Sequence, residues 1–247
     1  MIERIKVLLT WPTISLTWPG QNKAIVADAK GFLALRTIKV LSLSSGIMGF
    51  VVVALGAWTR LADAGLGCPD WPGCYGFATI PISPEEIDIA NTKFPDTPYE
   101  VAKAIPEVVH RYFAAALGFM ITCMALISMR SKDLPSDIKN LSIFLLIWVI
   151  LQGTFGYWTV SLKLWPQVVT THLMSGFLTT GLLWLLYFKA KDRLEKRENW
   201  NFSQGTKKFF NIALVLVAIQ IFLGAWTSTN YASYSCVDFP LCQGQVI

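Results

Sequence analysis

Charged residues are scarce in this chain of 247 residues: they make up 15% of it, against about 25% in an average soluble domain. Hydrophobic residues make up 53%, and the mean hydropathy is +0.48. This composition excludes an ordinary water-soluble domain and fits intrinsic disorder still less well. The net charge of +5 accompanies 10 Trp and 15 Phe residues. That combination indicates a membrane rather than a nucleic-acid groove, so we expect lipid and no nucleic acid as partners.

Five stretches of about 18 residues or more contain no Asp, Glu, Lys or Arg. A helix needs roughly 20 apolar residues to cross about 30 Å of hydrocarbon, and each stretch is close to that length or longer. We therefore predict an all-α integral membrane protein, a helix bundle with five transmembrane helices. The predicted spans are residues 40–59, 112–129, 141–162, 164–188 and 209–235.

The distribution of Lys and Arg predicts the orientation of these helices. With the N-terminus in the cytoplasm, most of the 21 basic residues lie in the cytoplasmic segments. We therefore predict a multi-pass protein of a bacterial inner membrane, with residues 1–39 as a cytoplasmic arm and no removable signal peptide. The outer loop at residues 60–106 is long, which is typical of a functional loop. Within it, Ser83-Pro84-Glu85-Glu86 predicts the start of a short helix.

An internal repeat relates two parts of the chain. Residues 56–59, Gly-Ala-Trp-Thr, recur at 224–227, and the same offset of 168 maps Cys68 and Cys74 onto Cys236 and Cys242. We interpret this as a parallel duplication: one four-helix unit at 40–208, then the first helix and cysteine loop of a second unit at 209–247. We expect the natural gene to continue for roughly 100 residues or more, with histidines near positions 278 and 340. The alternative is a homo-oligomer in which another chain completes the second unit.

The sequence contains only two histidines, His110 and His172. Each follows a proline at the head of a helix that runs inwards, so we expect the two imidazoles at similar depth below the outer surface. Two such nitrogens facing each other across a bundle are suited to axial ligation of a haem iron. The alternative is a pair of interfacial histidines that bind water or backbone carbonyls.

Glu107 precedes His110 by three residues and Arg111 by four, so all three share a helix face. A carboxylate beside a cofactor can take a proton, steer a water molecule or stabilise a developing cation. Arg111 can pair with Glu107 or with a haem propionate. The alternative is ordinary: a glutamate in a first helical turn interacts with the helix dipole, and an arginine at a membrane boundary extends towards water.

The cysteines form two outer pairs, Cys68 with Cys74 and Cys236 with Cys242, and each pair closes a segment of seven residues. On an oxidising membrane face such pairs predict disulfides rather than metal sites. No Cys-x-x-Cys-His motif occurs, so covalent haem attachment is not indicated. A structural bridge accounts for the second pair, whereas the first, on the same side as His110, has either a structural or a redox role. Cys123 is predicted to be a core residue.

These motifs together resemble the haem A synthase family. The run from Thr59 to Gly76 is similar to the first outer loop of that family. The residues Glu107-Val108-Val109-His110-Arg111 match its Glu-x-x-His-Arg signature. The stretch Thr171-His172-Leu173 with Gly176 resembles its histidine region of helix four, and Cys236–Cys242 resembles its second cysteine pair.

The resemblance implies an oxidoreductase of cytochrome oxidase biogenesis. Such an enzyme receives haem O from a haem O synthase and oxidises a ring methyl to a formyl group through hydroxylation, which gives haem A. The resemblance further implies that His110 and His172 bind the iron of the substrate haem, that Glu107 acts beside it, and that the second unit holds a b-type haem.

The source of the inserted oxygen stays open at this stage. An iron with two histidine ligands has no free position for oxygen, so either one ligand leaves or electrons pass to an acceptor while water supplies the oxygen. Two other functions also stay open: a non-enzymatic b-type cytochrome with two histidine ligands, and an assembly protein that carries haem.

Overall fold

The fold consists mainly of long apolar helices. The computed structural model describes residues 29–195, 202–232, 235, 241–242 and 244–246. Five of the helices are long and apolar enough to cross a membrane, and the all-α membrane bundle predicted from the sequence is confirmed. In chain order the elements are α1 (Ala29–Leu61), α2 (Pro84–Lys93), α3 (Val101–Arg130), α4 (Ser136–Ser161), α5 (Pro166–Glu195), α6 (Gln204–Thr229), β1 (Leu241–Cys242) and β2 (Gln245–Val246).

The helices begin and end at different residues from the charge-free runs. Helix α1 begins at Ala29 and α3 at Val101, well before positions 40 and 112. A charge-free run detects the part of a helix that lies in hydrocarbon, but the helix continues into water, where charged residues pair along its surface. The loop between α1 and α3 is therefore residues 62–100 rather than 60–106, and Pro106 lies inside α3 rather than before it.

Helix α6 ends earlier than its apolar run, at Thr229 rather than position 235. The Asn230 side chain donates a hydrogen bond to the Trp226 carbonyl at 2.8 Å and so satisfies an acceptor at the end of the helix. Tyr231 follows with a φ of 55°, a left-handed conformation that an α-helix cannot continue. Hydropathy carries no information about such a stop.

The short helix α2 begins where the sequence predicts. The Ser83 side chain accepts a hydrogen bond from the Glu86 backbone N–H at 3.1 Å, and the Glu86 carboxylate accepts one from the Ser83 N–H at 3.0 Å. This reciprocal capping box, with Pro84 in the first turn, starts the helix within the long loop.

Four of the long helices, α1, α3, α4 and α5, form a closed ring. Helix α1 packs against α3 and α5, α4 packs against the same two helices, and α6 packs against α5. Small residues bring α1 and α5 close: a Cβ at Gly49 would lie 2.8 Å from the Thr180 Oγ1, and one at Gly46 would lie 3.1 Å from the Trp184 Nε1. Such contacts are typical of helix association in membranes.

The two ends of the bundle differ in chemistry. We call the end that carries residues 62–100 the loop end, and the opposite end the basic end. At the basic end, Asp137 of α4 pairs with Lys189 of α5 at 3.0 Å, and Glu195 of α5 pairs with Lys39 of α1 at 3.1 Å. The hydrophobic core fills the interior and includes Leu35, Ile38, Leu117, Ile121, Met124, Ile138, Leu145, Leu183 and Leu186.

Residues 67–77, which we call the cysteine loop, fold over the loop end of α3. Both oxygens of the Asp70 carboxylate accept backbone N–H groups, from Tyr75 at 2.6 Å and Gly76 at 2.7 Å. Tyr75 packs edge-on against Phe94 and Tyr99 in a small separate core. Burial, and then the nearby Glu100 carboxylate, raise the pKa of Tyr75, so its hydroxyl stays neutral at physiological pH.

Replacing Gly67 with Ala should displace the cysteine loop, because the added Cβ would lie 2.3 Å from the Lys103 carbonyl oxygen. Overpacking of this kind costs about 1–3 kcal/mol, so the thermal unfolding midpoint of the purified protein should fall by several degrees. Gly118→Ala is the matched control, since a Cβ there meets open space and Ala favours the helix. Equal midpoints for the two variants would contradict this close packing.

Candidate functional site

A cavity of about 900 Å³ occupies the loop end of the bundle. All five long helices line it, and the cysteine loop contributes Trp71, Pro72 and Gly73 to its wall. Trp71 also contacts Tyr157 of α4, with ring centroids 5.8 Å apart, and so ties the loop to the far side of the ring of helices. A largely apolar cavity of this size with a few polar groups is typical of a site for a large organic ligand or cofactor.

His110 enters the cavity wall from the third turn of α3. Its Nδ1 lies 3.1 Å from the carbonyl oxygen of Val52 in α1. Because a carbonyl can only accept, Nδ1 carries the proton, and Nε2 keeps its lone pair for a ligand. Gly56 faces the ring, and a Cβ at that position would lie 3.1 Å from the His110 Cε1. The glycine leaves the imidazole the space that it occupies.

His172 enters the same cavity from the second turn of α5. Its Nδ1 is buried and has no hydrogen-bond partner among the residues that the structure describes. Gly156 of α4 faces this ring, with a virtual Cβ 3.4 Å from the His172 Cε1. Gln152 donates from its Nε2 to the His172 carbonyl at 2.9 Å and accepts a hydrogen bond from the Ser175 hydroxyl. This network fixes the backbone of α5 at the histidine.

Glu107 is a buried carboxylate at the edge of the cavity, with 7% of its side chain exposed. Its Oε2 accepts the Cys68 backbone N–H at 3.0 Å, and its Oε1 accepts the Arg111 guanidinium at 2.5 Å. The carboxylate therefore joins the cysteine loop to α3. The sequence predicts Glu107 in the first turn of its helix. In the structure α3 begins at Val101, so Glu107 lies in the second turn.

Arg111 fastens the cysteine loop from the other side. Its Nη1 donates to the carbonyls of Asp70 at 2.8 Å and Gly73 at 2.5 Å, while its Nη2 binds Glu107. Of the two partners that the sequence left open for Arg111, the structure shows the glutamate. The guanidinium is thus committed to neutralising Glu107 and to holding the loop carbonyls.

The structure describes one of the two predicted disulfides and the free cysteine. Cys68 and Cys74 form a disulfide that closes the cysteine loop, and both residues are fully buried. Cys123 is a free cysteine of intermediate exposure rather than a fully buried core residue. The predicted partner of Cys242, Cys236, lies outside the described residues, so the second pair stays a prediction.

Comparison with known proteins identifies the family of this chain. The family model COX15-CtaA, of cytochrome oxidase assembly proteins, matches residues 39–247. The chain belongs to the haem A synthase family. The match begins within helix α1 and includes the cysteine loop, both histidines and the Glu107–Arg111 pair.

Several proteins named haem A synthase are similar to this chain. One from Shewanella oneidensis is 40% identical over 198 residues, which cover 80% of this chain and 59% of that protein. One from Alkalihalophilus pseudofirmus is 24% identical over 213 residues, which cover 85% of this chain and 66% of that protein. The chain thus spans about three fifths to two thirds of the length of these relatives. No solved structure matches the chain.

The residues of the cavity suit a haem better than a bare metal ion. Within the described part of the chain, no group of three or more His, Cys, Asp or Glu side chains lies close enough to hold a metal ion. Two imidazoles with glycines beside them, in a largely apolar wall, could provide two axial nitrogens and room for a flat macrocycle.

Two polar residues of this site were missed in the sequence. Arg60 and Gln152 both line the cavity, yet neither belongs to a spacing pattern that indicates chemistry. Arg60 stands at the end of an apolar run, where an arginine normally extends into water. Gln152 was hidden as one polar residue inside a charge-free run, although intramembrane polar side chains commonly face the interior of a bundle.

We expect both outer cysteine pairs to be disulfides in the isolated protein. A thiol reagent of high mass, applied to the unfolded protein without reductant, should modify Cys123 alone, and prior reduction should expose all five cysteines. The number of modified thiols can be measured by gel shift or by intact mass. Modification of three cysteines before reduction would contradict one pair, and modification of five would contradict both.

Proposed function

We propose that this chain provides the haem O oxidation site of a haem A synthase. The observation that carries the proposal is the arrangement of His110 and His172, which come from different helices and line one apolar cavity beside the buried Glu107–Arg111 pair. Membership of the haem A synthase family and the names of its relatives support the same activity.

The substrate in this proposal is haem O, and its iron is bound by the Nε2 of His110 and by a ring nitrogen of His172. The Val52 carbonyl fixes the His110 ring, and Gln152 fixes the α5 backbone at His172. Gly56 and Gly156 have no side chain and so leave the space that the two imidazoles occupy. The protein therefore binds and orients the substrate through rigid helices, which position a reacting group more accurately than loops do.

Conversion of a methyl to a formyl group adds one oxygen atom and is a four-electron oxidation. If water supplies the oxygen, four protons and four electrons leave the substrate and the water, and the electrons pass to a redox partner. Protons then need an acceptor near the reacting methyl. Glu107, at the edge of the cavity, is the carboxylate that the described residues place there.

Glu107 has two properties that suit it to this role. It lies in a water-poor site where a charge acts strongly, and its position is fixed by Cys68 and Arg111 rather than by solvent. It can receive a proton at a carboxylate oxygen, or stabilise positive charge that develops on the ring. The cysteine loop forms part of the wall beside it, through Trp71, Pro72 and Gly73.

The orientation proposed for this activity puts the loop end outside a bacterial inner membrane and the N-terminus in the cytoplasm. Lys39, Lys189 and Arg193 at the basic end agree with the excess of basic residues in cytoplasmic segments. A disulfide at the loop end agrees with an oxidising compartment. Haem O would come from a haem O synthase, and a b-type haem would belong to the second unit.

Glu107→Gln tests the chemical role of the carboxylate. In membranes of cells that make haem O and express the natural gene, the variant should keep the haem absorbance spectrum but form about 10²–10⁴-fold less haem A. Glu100→Gln is the matched control, because Glu100 is half exposed and pairs only with Lys103 among the described residues. Reduced-minus-oxidised spectra and extracted porphyrins are measured on the same membranes.

Protection of the cysteine loop from protease separates a catalytic role of Glu107 from an anchoring one. If Glu107→Gln loses product while the loop stays as protected as in the wild type, the carboxylate acts on the substrate. If the loop becomes sensitive in proportion to the lost product, as in Gly67→Ala, Glu107 acts as an anchor only. A wild-type product yield would remove Glu107 from the mechanism.

His110→Ala and His172→Ala test the haem site itself. Each change removes an axial nitrogen, so each variant should lose the spectrum of the substrate haem together with the product. Haem O that persists unchanged in cells with the intact protein would reject the enzyme and favour a cytochrome or a haem carrier. Full spectra in both variants would show that neither histidine binds the iron.

A further inference from the structure

We infer that Arg60 binds the propionate carboxylates of the haem in this cavity, a role for which the sequence had offered Arg111. The inference rests on the proposed function, since it takes a haem as the ligand. Among the residues that the structure describes, Arg60 and Arg111 are the two cations that line the cavity, and they have different partners.

Arg60 lies on the same face of α1 as the glycine that contacts His110. It follows Gly56 by four residues, so its side chain leaves the helix about one turn nearer the loop end. It lines the cavity, and 23% of its side chain is exposed. A carboxylate at the edge of a macrocycle held by His110 would therefore have a guanidinium about one turn of α1 beyond the glycine that faces this histidine.

The charge of Arg60 has no close buried counterion among the described residues. Its carboxylate neighbour is Asp63, at 4.0 Å and with 70% of that side chain exposed. Water screens such a pair strongly, so it adds little. Arg111, by contrast, has the buried Glu107 at 2.5 Å and several loop carbonyls. The cavity thus contains one neutralised cation and one cation that is available to an anion.

Neutral groups at the end of α6 and just after it hold Arg60 in place. Its Nε donates to the Ser228 hydroxyl at 3.3 Å, an Nη donates to the Ser228 carbonyl, and its guanidinium carbon lies 4.0 Å from the centroid of the Tyr231 ring. Ser228 is the residue equivalent to Arg60 in the internal repeat, at the offset of 168. These contacts orient the guanidinium without consuming its charge, which lowers the cost of ordering it around a ligand.

Propionates are the groups of a haem that need such a partner. An ionised carboxylate is costly to place in an apolar cavity unless a cation or several hydrogen-bond donors meet it. The planar guanidinium of arginine matches a carboxylate with two parallel hydrogen bonds. At the cavity wall Arg60 uses its Nε and one Nη on the neutral Ser228, whereas both Nη atoms of Arg111 already bind Glu107 and the cysteine loop.

The test compares two probes, ferric protoporphyrin IX and its dimethyl ester, in which both propionates are blocked. Each is titrated into the purified chain in detergent, and binding is read from the absorbance of the histidine-bound iron. The wild type should bind the free acid about 10- to 100-fold more tightly than the ester, the range for hydrogen bonds to a charged group.

Three variants assign this preference to a residue. Arg60→Gln should lose most of the preference by weakening the free acid alone, and Arg60→Lys should keep part of it because the cation remains. Lys163→Gln is the matched control: it removes one exposed positive charge at the loop end from a residue outside the cavity wall. It should leave both affinities unchanged.

The outcomes separate the inference from the proposed function. Equal binding of acid and ester by the wild type overturns the inference, even if Arg60→Gln fails to fold. Retention of the full preference by Arg60→Gln also overturns it and assigns the propionates to another group. If neither probe binds the wild type, or if His110→Ala leaves binding unchanged, the proposed haem site fails and the inference fails with it. Loss of the preference in Arg60→Gln but not in Lys163→Gln supports both.

Discussion

The carboxylate of Glu107 is the point at which helix α3, the cysteine loop and the cavity meet. A buried charge is stable only when its partners are complete, and here they are the Cys68 N–H and the Arg111 guanidinium. Loss of one partner from such a pair costs about 3–5 kcal/mol, because the other charge stays buried. The Cys68–Cys74 disulfide supports the arrangement, since it holds the loop that presents both the N–H and the carbonyls bound by Arg111. The anchoring of the cysteine loop and the proposed chemistry therefore depend on the same side chain.

The bundle must pack tightly and still leave a cavity, and small residues serve both needs. Gly46 and Gly49 bring α1 against α5, next to Trp184 and Thr180. Further along α1, Gly56 gives its space to an imidazole instead of to another helix. The same helix therefore packs closely along one stretch and lines an open pocket along the next. A larger residue at position 56 would meet the His110 ring at 3.1 Å, so the pocket depends on the absence of a side chain as much as on the histidines.

Much of this architecture is readable in the sequence because hydrocarbon imposes a simple rule. A span that lacks charge over its length must be a helix, and this predicted all five long helices. The spacing of Glu107, His110 and Arg111 placed them on one face, as found. The rule fails where water returns: it does not reveal that α1 and α3 begin before the charge-free runs, nor that α6 stops after Thr229, where Asn230 caps the helix and Tyr231 takes a left-handed φ. The partner of Arg111 could not be predicted either, because it depends on how residues 67–77 fold.

Charge balance connects the two arginines of the cavity. The imidazole of His110 is held with its proton on Nδ1 and adds no charge, and Glu107 and Arg111 cancel each other. Among the described residues, Arg60 is then the cation of the wall that lacks a buried counterion, with neutral contacts from Ser228 and Tyr231 and the exposed Asp63 at 4.0 Å. A low-dielectric pocket with one net positive charge favours a ligand of net negative charge and disfavours a cationic one. A haem whose propionates are ionised meets this condition, and a porphyrin without free carboxylates does not. In the proposed haem site, the electrostatics of the wall would thus favour the acidic groups at the edge of the macrocycle, while the histidines would bind its iron.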